Sequence, residues 1–439
     1  MRVWLGCLVA LALACAPAAA AVKRVRYAAP SGTCDGYPRL AIGMAKGFCA
    51  GLVAGPPPGD FTHRQLRLPR SLVALDGETW LVTDLGRWDA PTGVVWRLKA
   101  RAGQAPMLTR LLTGLTLPHG VALGPDGKVY VGEMQRIIRF DPTASDPAAT
   151  VEIVISGLPS NRLHDNRHPL SAFVFDADGA LIVNVGAPSD QCLDTAGKPV
   201  GEGRCAESEG DEPTAVLRRY APLGNGRWSQ DYTVLARGLR NSVALGVHPS
   251  GTLLQGENSY DTGDRWSPFD EINVITESGH YGWPYCADMT VAMSGWAGTG
   301  AMDCRSAAHA KPVLLLPPHA APLALTWYDG PMFPQLKGRL LMSWHGYRST
   351  GGRLVAYEVD RRGIPTPTRR ATYETYGGAP RAYGRGPAAT PLDLTPGWGK
   401  LAGVRPQGTP VGIAVAADGA IWVADDKNAV IIRIAADRP

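Results

Sequence analysis

The sequence predicts an all-β protein, a six-bladed β-propeller with long top-face loops. Two observations lead to this fold class. A short pattern recurs six times along the chain: an apolar alternation, a tight turn ending in glycine, and a second apolar alternation. Few segments between the copies carry the apolar period of an amphipathic helix, and small sheets repeated around an axis leave only short, protected edge strands.

The repeats define the blades in order. Asp-Gly or Ser-Gly ends the turn in most copies, and glycine favours hairpin turns because it accepts a positive φ. The fifth copy is looser, and the wider spacing after the third copy predicts long loops on one face instead of extra domains. A β-sandwich, or a propeller of seven or eight blades with one degenerate copy, is the alternative. The copies occupy residues 72–82, 121–131, 173–183, 245–254, 323–341 and 413–423.

Composition and charge exclude several classes of protein. The chain of 439 residues is 45% hydrophobic and 19% charged, which is too apolar for a disordered chain and too sparsely charged for a coiled coil. Its net charge of +5 is spread along the chain without a basic tract, so no nucleic-acid partner is expected. A local pocket for an anionic small molecule is compatible with this mild basicity.

The N-terminus has the pattern of a secretory signal peptide. A positively charged start precedes an apolar run too short for a confident membrane span, and small residues follow. We therefore expect a periplasmic or secreted protein without stable membrane insertion, an N-terminal membrane anchor being the alternative. The predicted division is a signal peptide at 1–21, an N-terminal extension with Cys34 and Cys49 at 22–65, and a single β-propeller domain at 66–439.

Six cysteines follow the predicted signal peptide. An even number in an oxidising compartment favours disulfides, although six cysteines allow 15 connectivities. No CxxC or CxxCH spacing occurs, which argues against zinc-ribbon, thioredoxin-like and cytochrome sites. The cysteines fall into three sequence-local couples, so the predicted pairs are Cys34–Cys49, Cys192–Cys205 and Cys286–Cys304.

Polar and aromatic residues cluster in three loops beside the repeats. The sequence has no GxSxG, HExxH or Walker motif and no Gly-rich turn that joins a strand to a helix, so an acyl-transfer triad or a Rossmann nicotinamide site is not expected. Instead, successive loops offer an imidazole, a fixed cation with an amide, and an acidic-aromatic shelf. These loops are Asn-Arg-His at 166–168, Gly-Leu-Arg-Asn at 238–241, and FDEIN at 269–273 followed by YGWPYC at 281–286.

With these residues the sequence resembles the pyrroloquinoline quinone (PQQ)-dependent sugar dehydrogenases, in particular the soluble aldose and L-sorbosone dehydrogenase-like branch. The resemblance extends from about residue 66 to 434. Its most specific parts are the Arg-Asn element and the DEIN…YGWP combination, in this order. The matching stretches are HPLSAFVFDADGALIVNVGAPSDQC, GLRNSVALGVHPSGTLL, PFDEINVITESGHYGWPYC, LPPHAAPLALTWYDGPMFPQLKGRLLMSWHG and PVGIAVAADGAIWVADD.

The resemblance implies roles for individual residues. The family's catalytic histidine falls on His168, with His164 on the same loop as the fallback, and its Arg-Asn pair falls on Arg240 and Asn241. Both Arg240 and Asn241 would contact the cofactor, and Arg240 would also stabilise negative charge on the quinone. The candidates for holding the cofactor's carboxylates are Arg348, Arg405 and Lys427.

The family also uses a Ca²⁺ ion, bound partly by backbone carbonyls. An insertion before residue 270 leaves the backbone ligands only approximately located, near residues 258–260. Asp270 and Glu271 fit either a metal site, cofactor contact or a structural turn. The candidate metal residues are Asn258, Tyr260, Asp270 and Glu271.

The implied reaction is oxidation of an aldose sugar, or a related aldehyde or alcohol, by hydride transfer to PQQ. A near-neutral imidazole takes the proton from the substrate hydroxyl, and the cofactor performs the redox step. The partner that accepts the electrons is unknown from sequence, as are the particular sugar and the oligomeric state. Two alternatives are a metal-dependent propeller hydrolase of the lactonase type and a non-catalytic binding propeller.

Overall fold

The chain folds as a ring of six antiparallel sheets around a central axis, nearly all β-structure, which confirms the predicted six-bladed β-propeller. The predicted signal peptide, 1–21, lies outside the described residues. The first strands of neighbouring blades adjoin one another and line the axis. The computed structural model describes residues 32–56, 65–159, 167–346, 350–372, 385–398 and 408–438.

The first three blades follow one another along the chain, each with four consecutive strands. Blade 1 comprises Pro69–Ala74, Thr79–Asp84, Gly93–Lys99 and Met107–Leu115. Blade 2 comprises Val121–Leu123, Val129–Glu133, Arg136–Phe140 and Glu152–Ile155. Blade 3, which a short parallel strand extends at its outer edge, comprises Phe173–Phe175, Leu181–Val185, Val216–Gly224, Arg227–Arg237 and the added Gly279–His280.

The last three blades carry the longer loops. Blade 4 comprises Ala244–Val247, Leu253–Glu257, Phe269–Val274 and Leu314–Pro318. Blade 5 comprises Pro322–Trp327, Leu340–Trp344, Arg353–Tyr357 and Leu392–Asp393. Blade 6 comprises Pro410–Val415, Ile421–Asp425, Val430–Ala436 and the N-terminal strand Phe48–Ala54.

Small elements decorate these blades. Within the described ranges, a four-residue α-helix covers Ala206–Glu209, and short 3₁₀ helices cover Pro147–Thr150 and Pro334–Leu336. In the described part of the chain, no helix has the length and apolar character needed to cross a membrane. Three two-stranded sheets pair Thr33–Cys34 with Tyr37–Pro38, Cys286–Ala287 with Val291–Ala292, and Arg369–Ala371 with Gly386–Ala388.

The N-terminal strand closes the ring, which corrects the boundary at residue 66. Phe48–Ala54 pairs antiparallel with Val430–Ala436 and is the outer strand of blade 6. Six of its seven residues are buried, so this part of the predicted extension belongs to the propeller. Joining both ends of the chain in one sheet removes an exposed edge and locks the first and last blades together.

Turn glycines behave as predicted in five blades and differently in one. Gly127, Gly179, Gly251, Gly338 and Gly419 all have positive φ. Gly77 does not. In this turn the Asp76 carboxylate accepts the backbone N–H groups of residues 78 and 79 at 2.8 and 2.7 Å, as Asp side chains commonly do in turns.

The core lies between blades, where apolar faces of neighbouring sheets meet. Trp80 of blade 1 and Trp422 of blade 6 stack with ring centroids 4.1 Å apart, and both are almost completely buried. Burying one such side chain contributes about 1.5–3 kcal/mol. All three predicted disulfides are confirmed, namely Cys34–Cys49, Cys192–Cys205 and Cys286–Cys304.

Candidate active site

A cavity of about 660 Å³ opens at the end of the axis where the first strands begin and the second strands end. Loops from several blades therefore contribute to it, although they are far apart in sequence. The predicted residues His168, Arg240, Asn241 and Lys427 all line this cavity. Their convergence places a buried imidazole, a guanidinium and an ammonium group around one polar space.

His168 is fixed as a neutral imidazole. Its Nδ1 lies 2.6 Å from the carbonyl oxygen of Ala187, and since a carbonyl only accepts, the proton is on Nδ1 and the lone pair on Nε2. Burial, reinforced by the nearby positive charge of Arg240, holds the pKa of His168 well below its usual value of 6.5. The side chain is therefore prepared to accept a proton at Nε2 near neutral pH.

The loop that follows the second strand of blade 3 holds this imidazole in place. Arg167 donates its backbone N–H to the carbonyl of Pro188 at 2.9 Å. A Cβ on Gly186 would lie 2.6 Å from the Cβ of His168 and even closer to its carbonyl oxygen. Glycine at 186 therefore allows the two loops to approach.

Arg240 is held by three partners. Its Nη1 donates to the carbonyl of Asn258 at 3.0 Å, its Nε to the carbonyl of Asp190 at 3.3 Å, and its Nη2 to the Asp190 carboxylate. The Asp261 carboxylate lies 3.3 Å from Nη2. Only 3% of the Arg240 side chain is exposed, so this guanidinium has one defined orientation at the cavity wall.

A hydrogen bond between Asn241 and Glu257 holds the loop that follows Arg240. Asn241 donates its backbone N–H to the Glu257 carboxylate at 3.0 Å. Glu257 ends the second strand of its blade, as Asp84, Glu133 and Asp425 do in theirs. Burial raises the pKa of Glu257 to about 7. We interpret this acid as a repeated structural anchor of the inner loops.

The four candidate metal residues do not meet at one point. Asn258 and Asp270 line the cavity, whereas the Tyr260 hydroxyl donates to the carbonyl of Cys286 at 3.3 Å in a separate buried cluster. Glu271 is the register partner of Glu257 on the neighbouring strand. Because side chains alternate along a strand, Glu271 and Asp270 lie on opposite faces of the sheet. Among the described residues, no group of three or more His, Cys, Asp or Glu side chains is arranged to hold a metal.

Asp270 anchors a strained loop. Its two carboxylate oxygens accept the backbone N–H groups of Ser259 at 2.8 Å and Ala321 at 2.6 Å. His319 and Ala321 both have positive φ, a conformation that costs about 1–3 kcal/mol for such residues. Burial raises the pKa of Asp270 to about 6.

The opposite wall is built around Asp426. One carboxylate oxygen accepts from Arg70 at 2.6 Å and the other lies 3.1 Å from Nε2 of His345. His119 packs behind Arg70, which donates to it at 3.2 Å. Lys427 adds a positive charge on this side of the cavity. The predicted His164, Arg348 and Arg405 lie outside the described residues.

Several residues of this site were not predicted from the sequence. Asp190 and Asp261 contact Arg240 only because distant loops fold together, and neither belongs to a recognisable motif. Asp426 was detectable in principle, because an Asp-Asp pair follows the last repeat at a position where the second strands of blades 1, 2 and 4 end in a single acid. The acid of Glu257 recurs at similar spacing after the turn glycine, and this repeat was also overlooked.

The fold and the cavity together define a six-bladed propeller protein with a polar, cation-rich site at one end of its axis. Residues 60–376 match the model of the TrAA12-like family. This match covers more than half of the chain, so the protein belongs to that family of AA12 pyrroloquinoline-quinone-dependent oxidoreductases.

Solved structures share the fold at low sequence identity. A Trichoderma reesei protein of carbohydrate-active enzyme family AA12 has a TM-score of 0.64 and 18% identity, over 93% of this chain and 100% of that one. The PQQ domain of a pyranose dehydrogenase from Coprinopsis cinerea has a TM-score of 0.62 and 19% identity, over 92% of this chain and 100% of that one. The PQQ-bound aldose sugar dehydrogenase of Streptomyces coelicolor has a TM-score of 0.55 and 18% identity, over 90% of this chain and 99% of that one.

One curated relative is similar over part of its length. An uncharacterized protein of Borreliella burgdorferi is 32% identical over 148 residues. The matched segment is 33% of this chain and 38% of that protein, so it carries no information on activity.

Proposed function

We propose that this protein is a PQQ-dependent dehydrogenase that oxidises an aldose sugar, or a related aldehyde or alcohol, with His168 as general base. One observation carries the proposal: His168 and Arg240 line the same cavity, and both are hydrogen-bonded to the backbone of Ala187. Family membership and the structural neighbours that bind PQQ support the same chemistry.

The described residues fit a flat quinone that carries carboxylates. The cavity has the volume of a small-molecule site, and it is lined by positive groups on two sides, Arg240 with Asn241 on one and Arg70 with Lys427 on the other. We propose that Arg240 and Asn241 face the reactive carbonyls and that Lys427 contacts a carboxylate. Arg348 and Arg405 stay candidates for the other carboxylates.

The chain's own groups account for the proton and the charge. When bound, PQQ supplies the acceptor for the hydride. His168 takes the hydroxyl proton of the substrate at Nε2, which is the unprotonated ring nitrogen because Nδ1–H is bonded to Ala187. With PQQ bound, loss of this proton would allow the same carbon to release hydride to the cofactor, which would convert the cyclic form of an aldose to a lactone. The Arg240 guanidinium would stabilise the negative charge that the quinone gains.

We propose no role for calcium in this mechanism. A neighbouring AA12 protein of Trichoderma reesei was solved as a calcium structure, but of the four candidate metal residues only Asn258 and Asp270 line the cavity. Both oxygens of Asp270 already accept backbone N–H groups. Tyr260 and Glu271 are directed elsewhere, so no step of the mechanism is derived through a metal.

We also propose that the protein works in the periplasm or outside the cell. Three disulfides support an oxidising compartment, and residues 1–21 have the composition of a cleaved signal peptide. An external acceptor must remove the electrons after each turnover, and its identity is open.

The proposal is tested by titrating the purified apoprotein with PQQ, with and without Ca²⁺, and following the absorbance of the cofactor. We expect saturation at one PQQ per chain, followed by dye reduction with at least one aldose. Arg240→Gln is expected to bind PQQ but to turn over much more slowly. Failure of the wild-type protein to bind PQQ would refute the assignment, and hydrolysis of sugar lactones by the same sample would favour the hydrolase alternative.

A further inference from the structure

We propose that Asp190 is a positioning residue of this site: together with a disulfide-braced module, it fixes the orientation of the Arg240 guanidinium at the cavity wall. The kinetic consequence rests on the proposed function. The geometric claim does not, because it concerns two side chains of the cofactor-free protein.

Asp190 contacts Arg240 through both its side chain and its backbone. The carboxylate accepts from Nη2 and the carbonyl oxygen accepts from Nε at 3.3 Å. The same carboxylate oxygen also accepts the backbone N–H of Asp261 at 3.1 Å, and its second oxygen accepts from Gln191 at 3.0 Å. Charged hydrogen bonds in several directions leave neither side chain another rotamer.

The loop that carries Asp190 is braced from outside. Trp283 donates its indole N–H to the carbonyl of Asp190 at 2.9 Å, and Trp296 donates to the carbonyl of Gln191 at 3.0 Å. Cys192 is bonded to Cys205. These side chains belong to one buried cluster that also contains the Cys286–Cys304 disulfide. We call this cluster the cystine module.

The cystine module thus has a defined connection to the cavity. Without it, a loop in contact with solvent would have to hold a carboxylate against a guanidinium that is almost fully buried. Because a buried charge without its partner strongly destabilises a protein, we infer that the rigid cystine module maintains the ion pair between Asp190 and Arg240. Trp283 and Cys286 come from the YGWPYC segment, and the module therefore gives that segment a role outside the cavity lining.

The charges around His168 provide a readout specific to this role. Arg240 and Arg167 lower the pKa of His168, whereas Asp190 raises it. Replacing Asp190 by the uncharged Asn removes the charge that raises this pKa, while Arg240 and Arg167 stay positively charged. The acid limb of the pH dependence of kcat is therefore expected to move to lower pH. A loss of packing alone would not produce this shift.

The first experiment uses the cofactor-free full-length mature protein. Asp190→Asn is compared with Asp194→Asn, a matched change at an exposed residue of the same loop whose carboxylate accepts only backbone N–H groups near its own turn. The signals of the arginine Nε–H groups are followed by NMR. We expect a slowly exchanging Arg240 signal in the wild type and in Asp194→Asn, and a broadened or fast-exchanging one in Asp190→Asn. An unchanged Arg240 signal in Asp190→Asn overturns the proposal.

The second experiment measures turnover at saturating PQQ. Loss of a charged hydrogen bond predicts about 10- to 100-fold lower kcat for Asp190→Asn, with the acid limb moved to lower pH, while Asp194→Asn keeps both wild-type values. Wild-type kcat together with an unmoved limb overturns the proposal. Absence of PQQ binding by the wild type instead refutes the proposed function and leaves the NMR result valid.

A variant without any charge change covers the case in which Asp190→Asn fails to fold. Trp283→Phe removes the indole hydrogen bond to Asp190 and keeps every charge. We expect a loss of slow exchange at Arg240 and about 2- to 5-fold lower kcat, in line with the loss of one neutral hydrogen bond, with the acid limb unmoved. A wild-type Arg240 signal in this variant contradicts bracing by the cystine module.

Discussion

His168 and Arg240 are both hydrogen-bonded to the backbone of Ala187. The imidazole Nδ1 donates to the carbonyl of Ala187 at 2.6 Å, and the N–H of Ala187 donates to the carbonyl of Arg240 at 2.8 Å. The imidazole and the backbone that carries the guanidinium are therefore held to one residue, and the guanidinium is fixed in turn by Asp190 and Asn258. Fixed relative geometry of this kind is what a proton transfer coupled to charge development requires.

Replacing the imidazole is the first prediction. His168→Gln removes the nitrogen that accepts the proton but retains a polar side chain of similar length. We expect about 10²- to 10⁴-fold lower kcat with unchanged PQQ stoichiometry, since general base catalysis has this magnitude. His248→Gln is the control, because His248 bonds Ser250 in an outer turn. Retention of more than about a tenth of kcat in His168→Gln would assign the base elsewhere.

The pH dependence of the wild type is the second prediction. Burial and the charge of Arg240 hold the pKa of His168 well below 6.5, so the imidazole stays unprotonated as the pH falls through 6.5. We expect protonation of His168 to leave kcat/KM unaffected around this pH, and the acid limb that His168 sets to lie further into the acid range. In Arg240→Gln the lowering charge is gone, and the acid limb should move upward. The pH dependence of kcat/KM, measured at saturating PQQ for the wild type and for Arg240→Gln, checks both expectations. An acid limb at the same pH in the two proteins would argue against an effect of Arg240 on the pKa of His168.

The sequence predicted the architecture well because the architecture depends on local signals. Hairpin turns and apolar alternation are written in consecutive residues, and the three disulfides join cysteines that are near in sequence. The closure by Phe48–Ala54 was missed because pairing between the two ends of a chain leaves no local pattern. Only the apolar composition of this segment indicated a strand.

The site was predictable only in part. His168, Arg240 and Asn241 came from motifs and do converge on the cavity. Asp270 and Glu271 looked equivalent in sequence, yet alternation along a strand sends them to opposite faces. Asp190 was invisible, since its importance comes from a contact with Arg240 that only the folded loops create.

The close approach of two loops gives the third prediction. Gly186→Ala adds a Cβ that would lie 2.6 Å from the Cβ of His168, so the imidazole must shift away from Ala187. We expect a large drop in kcat and a reduced midpoint of thermal unfolding. Gly77→Ala is the matched control, because its Cβ would have no neighbour within 4 Å and its φ is not in the left-handed region. Equal kcat in the two variants would show that the loops have room to separate.

The buried carboxyl of Glu257 gives the fourth prediction, on stability. Burial raises its pKa to about 7 in the folded protein from a usual value of 4.5, so folding is favoured by the protonated form. This contribution is present below 4.5 and is lost as the pH rises through 7, with a total of about 3 kcal/mol. Glu257→Gln cannot ionise, and its free energy of unfolding should therefore lack this decline.

Urea unfolding between pH 5 and 8.5 measures the effect. The difference in unfolding free energy, Glu257→Gln minus wild type, should become more positive as the pH rises, even if the amide lowers stability by a constant amount. Asp270 and Glu271 titrate in both proteins and therefore largely cancel in this difference. Glu202→Gln, at an exposed position, should track the wild type at every pH. A difference for Glu257→Gln that stays constant across the range would mean that Glu257 is ionised in the folded protein throughout, and the acid would then be a charged anchor of the Asn241 loop.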